Sequence, residues 1–182
     1  QISIATHDSI DLPPALAAEL GIAIAPLEYY LAGSHTSTAP QTSADFYAAI
    51  RTGESARIEG VLADDFEAAI REAATRATDV VCVCQSIGSS FTRVSAEVAV
   101  RRVQADGKRV ELISPGRSAA GLGALLIEAS RRARDGASTE DLFHAIEELS
   151  SSTDTYAIPA DLGYLDKVGE LSLLSSQSAV GR

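Results

Sequence analysis

The clearest feature of the hydrophobic pattern is Val80-Val81-Cys82-Val83-Cys84, an unbroken and largely β-branched run of strand length. Such a run suits a strand buried on both faces, as in the middle of a parallel sheet. It gives way to Gln85-Ser86-Ile87-Gly88-Ser89-Ser90, small and rich in hydroxyls, and then to helical spacing over residues 91–103. In that helix Val94 and Val98 are expected on the side away from Arg101 and Arg102, as an amphipathic segment requires. Strand, small-residue loop and helix together aim free backbone N–H groups and a positive dipole end at an anion. A plain strand-to-helix turn with a serine cap uses the same residues, and on this stretch alone that reading weighs more.

The rest of the chain alternates in the same way. Residues 2–6 read as a first strand, ending in the polar cluster Thr6-His7-Asp8-Ser9, which is expected to dress the strand end and cap the next helix. Pro13 and Pro14 suit the first turn of that helix, and Gly21 ends it. Residues 22–27 read as a second strand, and 31–42 as a polar surface loop. Ser43 caps a helix carrying Phe46, Tyr47 and Ile50, closed by Gly53, and residues 55–63 read as irregular. Asp64 and Asp65 open a helix bearing Phe66, Ile70 and Ala74, with its acids where the dipole prefers them.

After the central stretch Gly107 breaks a helix and residues 109–113 form a strand. The small-residue loop 114–123 leads into a helix through Leu125, Leu126 and Ala129 that ends at Gly136. Its glycines permit close approach of the backbone to another element or to a ligand. Ser138 caps a further helix with Leu142, Ile146 and Leu149 inward; a short strand at 155–158 and a short helix at 161–167 follow. This alternation predicts an α/β fold: a three-layer α/β/α sandwich with a mostly parallel sheet. Ligands in such sheets gather at the carboxyl ends of the strands, where both small-residue loops fall.

Composition narrows the partners. With 15 basic and 25 acidic residues the net charge is −10, which argues against nucleic acid and anionic membrane surfaces. No apolar run approaches the ~20 residues of a membrane helix. The first residues enter a strand pattern directly, so neither an integral membrane protein nor a signal peptide is expected. The absence of Met and the abrupt stop at Arg182 suggest a polypeptide cut short. Cys82 and Cys84 are expected to face opposite ways, unbridged, as small buried hydrophobes in a reducing cytoplasm. His7, His35 and His144 have no metal-ligand spacing, and no metal or other cofactor is expected. No phosphate-binding glycine signature and no nucleophile-elbow motif occurs.

Taken together, the ordered stretches resemble the DegV family of bacterial fatty-acid-binding proteins. Thr6-His7-Asp8-Ser9-Ile10-Asp11-Leu12-Pro13 is similar to that family's opening T-D-S-T-x-D-L-P, with Asp8-Ser9 displaced by one. Ala25-Pro26-Leu27 is similar to its V-P-L, and Ser43-Ala44-Asp45-Phe46-Tyr47 to its s-x-e-F-Y helix start. Ile87-Gly88-Ser89-Ser90-Phe91 stands where the family has L-S-G-T-Y, and Ser118–Gly123 resembles its s-x-x-G-x-G helix. Tyr164-Leu165-Asp166-Lys167-Val168-Gly169-Glu170-Leu171-Ser172 resembles Y-L-k-k-G-G-R-I-S.

The resemblance implies two domains: an α/β/α unit over 1–158, and a second, smaller α/β unit of which 159–182 would be the beginning. It implies a long-chain fatty acid or other lipid in an apolar cleft, its carboxylate held by two loops. One corresponds to Ser86, Gly88, Ser89 and Ser90. The other, T-S-Q-P-S in the family, falls on Ile58-Glu59-Gly60-Val61-Leu62, so Glu59 and Gly60 join the candidate site. It also implies a cytoplasmic carrier without chemistry of its own, in some members the lipid-carrying subunit that presents its ligand to the ATP-binding subunit of a fatty-acid kinase.

Here Glu59 replaces a hydroxyl, and an ionised Glu59 would repel a fatty carboxylate unless one of the two took up a proton. A neutral or amine-bearing lipid is therefore an open alternative. So is a small-molecule-binding enzyme or regulatory domain on the related dihydroxyacetone-kinase fold, using the loop ends 6–9, 86–90 and 114–118.

Overall fold

Short apolar segments alternate with longer amphipathic ones along the chain, and each kind forms the element its periodicity calls for. In the computed structural model, which describes residues 1–31, 34–36, 43–53, 56–85, 91–156 and 158, the order is β1 (Ile2–His7), α1 (Pro14–Leu20), β2 (Ala23–Ala25), β3 (Glu28–Leu31), β4 (Ser34–Thr36), α2 (Ser43–Arg51), β5 (Ala56–Gly60), α3 (Ala63–Ala73), β6 (Asp79–Val83), α4 (Phe91–Ala105), β7 (Arg109–Ile113), α5 (Ala119–Arg134) and α6 (Thr139–Ser152). Strands β2, β1, β6 and β7 lie side by side in that order, all parallel. In register, Ile4 stands opposite Val81 and Ala5 opposite Cys82.

The parallel sheet is covered on both faces, as its continuous apolar strands require. On one face Ala5, Val80, Cys82, Cys84 and Val110 form a core with Phe66, Ala69 and Ile70 of α3 and with Ala96, Ala99 and Val103 of α4. On the other, Ile4, Val81, Val83 and Ile113 meet Leu122, Leu125 and Leu126 of α5 and Leu142 and Ile146 of α6. The fold is therefore the α/β/α sandwich read from the sequence. The expected beginning of a second domain, including the helix at 161–167, lies outside the described residues.

Several local expectations are corrected. Cys82 and Cys84 share one face and one core, because residues two apart in a strand point the same way. Both are buried free thiols all the same. Of the strand read at 22–27 only Ala23–Ala25 (β2) pairs, in the parallel sheet; β3, which follows at Glu28–Leu31, belongs to a separate antiparallel sheet of order β4-β3-β5. That second sheet takes in residues read as surface loop (β4) and as irregular (β5). Strands of three to five residues carry too few inward positions to declare a period of two.

In α4 the buried face is Thr92, Ser95, Ala96, Ala99, Val100 and Val103, while Val94 points outward, 53% exposed. Small residues let this helix lie close on the sheet, and they, not the valines, set its phase. No strand forms at the described residues 155, 156 and 158, where Tyr156 and Ile158 are 89% and 95% exposed. Nor do His7, Asp8 and Ser9 cap α1, which begins after Pro13 without a side-chain cap.

Other readings hold in detail. Gly21 closes α1 in the left-handed region at φ 68°. Ser138 accepts from the Asp141 amide at 3.1 Å while the Asp141 carboxylate accepts from the Ser138 amide at 3.0 Å, a reciprocal cap at the start of α6. The glycines of α5 serve close approach to protein: a Cβ on Gly121 would collide with Thr155, and one on Gly123 with the Ile10 carbonyl oxygen in the loop after β1. Gly123→Ala should accordingly lower the urea unfolding midpoint by an amount worth about 1–3 kcal/mol, the cost of overpacking against backbone. The exposed substitution Ala124→Ser, one residue along, should stay within ~0.5 kcal/mol of wild type.

Candidate functional site

From β1 the chain crosses to β2 on one side, then returns through the small sheet and α3 to β6 on the other. The strand order thus reverses between β1 and β6. In open parallel sheets the ligand crevice opens at such a switch point, outside the carboxyl ends of the strands.

Two side chains at the end of β1 organise this edge. Thr6 Oγ1 donates to the Val83 carbonyl at 2.8 Å, and the Gln85 amide donates to His7 Nε2 at 3.1 Å. Around them, Asp8 N–H donates to the Ala25 carbonyl (3.0 Å), Cys84 N–H to that of Ile113 (3.0 Å) and Ala119 N–H to that of Ser9 (3.1 Å). The ends of all four strands and the start of α5 are thereby tied to one another. Loop ends 6–9 and 114–118 do meet here.

His7 is fully buried, on the α3 side, with the ring of Phe66 edge-on at a centroid distance of 6.0 Å. Because Nε2 accepts a hydrogen bond, the proton of the neutral ring is on Nδ1. Burial drives the imidazole pKa down from 6.5 to about 4, so the ring is neutral near pH 7. Desolvation also raises the Asp8 carboxyl, although its side chain keeps contact with solvent. Burial pushes the Cys84 thiol up to about 12 and Cys82 higher still, which leaves neither a reactive thiolate.

Beside this edge the end of β5 reaches the start of α4. Val61 N–H donates to Thr92 Oγ1 at 3.4 Å. Gly60 sits at φ 106° with its α-carbon so close that an added Cβ would lie 2.6 Å from Thr92 Oγ1 and 3.2 Å from the Phe91 ring. Only glycine fits both constraints. Glu59 lies on the β5 backbone where the register slips: Gly60 stands opposite Glu28 but Ile58 opposite Tyr29, so Glu59 has no facing residue in β3. An extra residue of this kind bends a strand and re-aims it.

Of the candidate residues, Gly60 and Glu59 are therefore placed, within one residue of the contact with α4. Ser86, Gly88, Ser89 and Ser90 lie outside the described residues, between Gln85 and the first turn of α4. His7, Thr92 and Gln85 went unrecognised in the sequence as parts of this corner. The available signal was a pair of polar residues, Thr6-His7, closing an apolar strand.

A separate cleft of about 470 Å³ lies at the opposite, amino edge of the sheet, lined by residues that include Ser3, Arg76, Ser130 and Arg134. It is remote from the switch point. Among the described residues no cluster of His, Cys, Asp and Glu is arranged to hold a metal ion, and no helix is long and apolar enough to cross a membrane.

The lowered His7 pKa makes stability depend on acid. Between pH 6.5 and about 4 the unfolded chain binds a proton that the native state refuses, so stability falls as pH falls through that window. The contribution is whole above pH 6.5, and its loss by pH 4 is of the order of 3 kcal/mol. Urea midpoints measured from pH 7.5 to 4.5 should drop for the native chain and fall less steeply for His7→Gln, which has no proton to gain.

Comparison with known proteins places this architecture. Residues 1–180 match the family described as "Uncharacterised protein, DegV family". A DegV domain-containing protein of Caldanaerobacter subterraneus subsp. tengcongensis is 26% identical over 182 residues, which is 100% of this chain and 64% of that protein. A DegV family protein from Thermus thermophilus, whose structure concerns fatty acid binding, aligns with a TM-score of 0.80 at 24% identity, over 99% of this chain and 64% of that one. DegV from Bacillus subtilis, a fatty acid binding protein, aligns with a TM-score of 0.81 at 20% identity, over 96% and 62% of the two chains. This chain thus spans a little under two thirds of the length of these relatives. The structural likeness carries the fold; together with the match that runs almost end to end, it bears out the resemblance seen in the sequence, and the chain belongs to the DegV family.

Proposed function

We propose that the protein is a carrier of a long-chain fatty acid or closely related lipid. The acyl chain occupies an apolar cleft, and its head is held at the carboxyl edge of the sheet by Ser86, Gly88, Ser89 and Ser90 from one loop and by Glu59 and Gly60 from the other. The observation that carries the reading is the meeting of Gly60 with Thr92 and Phe91. It sets the end of β5 against the first turn of α4, the helix that directly follows residues 86–90 in the sequence. The Thermus and Bacillus relatives, both associated with fatty acid binding, support the ligand class.

On this reading the chain performs no chemistry of its own. It works in the cytoplasm, and any phosphoryl transfer to the bound carboxylate belongs to a partner kinase subunit. Residues 1–158 form the first domain, and 159–182 begin a second that would complete the cleft.

Protein purified from a bacterial host should release an acyl chain on denaturing extraction, detected by mass spectrometry, and palmitate should raise its melting temperature. Absence of both results would sink the reading. Ser89→Ala and Ser90→Ala should each weaken palmitate binding about tenfold, the worth of a hydrogen bond to a charged group, with little change in melting temperature. Glu59→Ser should strengthen binding about five- to tenfold by removing a like charge, roughly 1 kcal/mol. An unchanged dissociation constant would place Glu59 outside the site.

A further inference from the structure

We propose that the buried Nδ1–H of His7 donates a hydrogen bond to the head of the bound lipid and so selects for an oxygen acceptor there. The inference rests on the carrier reading and adds a residue and a specificity to it.

Three observations lead to it. First, His7 is fully buried; its Nε2 is taken by the Gln85 amide, while Nδ1 has no partner among the described residues. A buried donor left unmade is costly, and folded proteins seldom keep one without a purpose. Second, the ring is at the right place. It stands at the switch point between β1 and β6, and its partner Gln85 immediately precedes the loop 86–90. Phe66, edge-on to the ring, bonds back through its amide to Leu62, the neighbour of Val61, which meets Thr92. His7, the end of β5 and the start of α4 therefore close one corner. Third, the chemistry is one-sided. Gln85 fixes the tautomer, so toward a ligand the ring is a donor and never an acceptor. A carboxylate or carboxyl oxygen satisfies it. An ammonium head brings only donors and leaves His7 unpaired, which is how a buried polar group discriminates between ligands.

The test compares palmitate with hexadecylamine on the full chain, in the wild type and in His7→Gln. Glutamine returns an acceptor to the Gln85 amide, while its one remaining donor group, the side-chain NH2, is displaced from the Nδ1 position of the ring. The wild type should prefer palmitate. His7→Gln should bind palmitate about tenfold more weakly at an unchanged melting temperature, with the preference over hexadecylamine reduced. In the wild type, the ¹⁵N resonance of Nδ1 should move on saturation with palmitate. That spectrum decides the matter if the variant folds poorly. Wild-type affinity in a folded His7→Gln, or an Nδ1 resonance that ignores palmitate, overturns the role of His7 and leaves the carrier reading standing. A wild type that binds no palmitate overturns both.

Discussion

Two side chains at the end of one strand hold the end of its neighbour. Thr6 and His7 reach from β1 to the Val83 carbonyl and the Gln85 amide, just past the point where regular pairing of β1 with β6 stops. Backbone groups at a strand end that is leaving a sheet need partners, and burial here denies them water. By supplying partners from side chains, the sequence fixes where β6 ends. Those two bonds tie the carboxyl end of β1 to the last described residues after β6.

The face of the sheet beneath that site is built from small residues. Ala5, Ala23, Ala25, Ala69, Ala73, Ala96 and Ala99 all belong to the core shared with α3 and α4, whereas the opposite face is filled by leucine and isoleucine. Small side chains bring helices close to strands, and at the corner the trend reaches its limit in Gly60, where Thr92 leaves no room for a Cβ. The same closeness strips water from His7 and makes its neutral form the native one. Packing and electrostatics at this edge are thus linked through α3, which covers the end of β1 and packs against α4.

What the sequence discloses tracks the strength of each signal. The run Val80–Cys84 is buried on both faces and could be read directly as a central strand, and the alternation around it was enough for the layered fold. The small antiparallel sheet was not legible, because β4 and β5 are three and five residues long and mix His35, Arg57 and Glu59 among few apolar positions. The phase of α4 was misjudged because Val94 looks like a core residue while the inward positions are threonine, serine and alanine. The loop 86–90 was conspicuous by composition. His7 was not, since a lone histidine beside Asp8 and Ser9 reads as a polar strand end, and only its burial and its bond to Gln85, 78 residues away, mark it out.

The proposed place of the lipid head is the carboxyl ends of β1 and β6. A crystal structure of the full chain grown with palmitate tests it most directly. The account predicts the carboxylate within hydrogen-bond reach of residues 86–90 and of His7, its tail running away from the sheet edge among apolar side chains. Palmitate lodged instead in the cleft at the amino edge, beside Ser130 and Arg134, would contradict it.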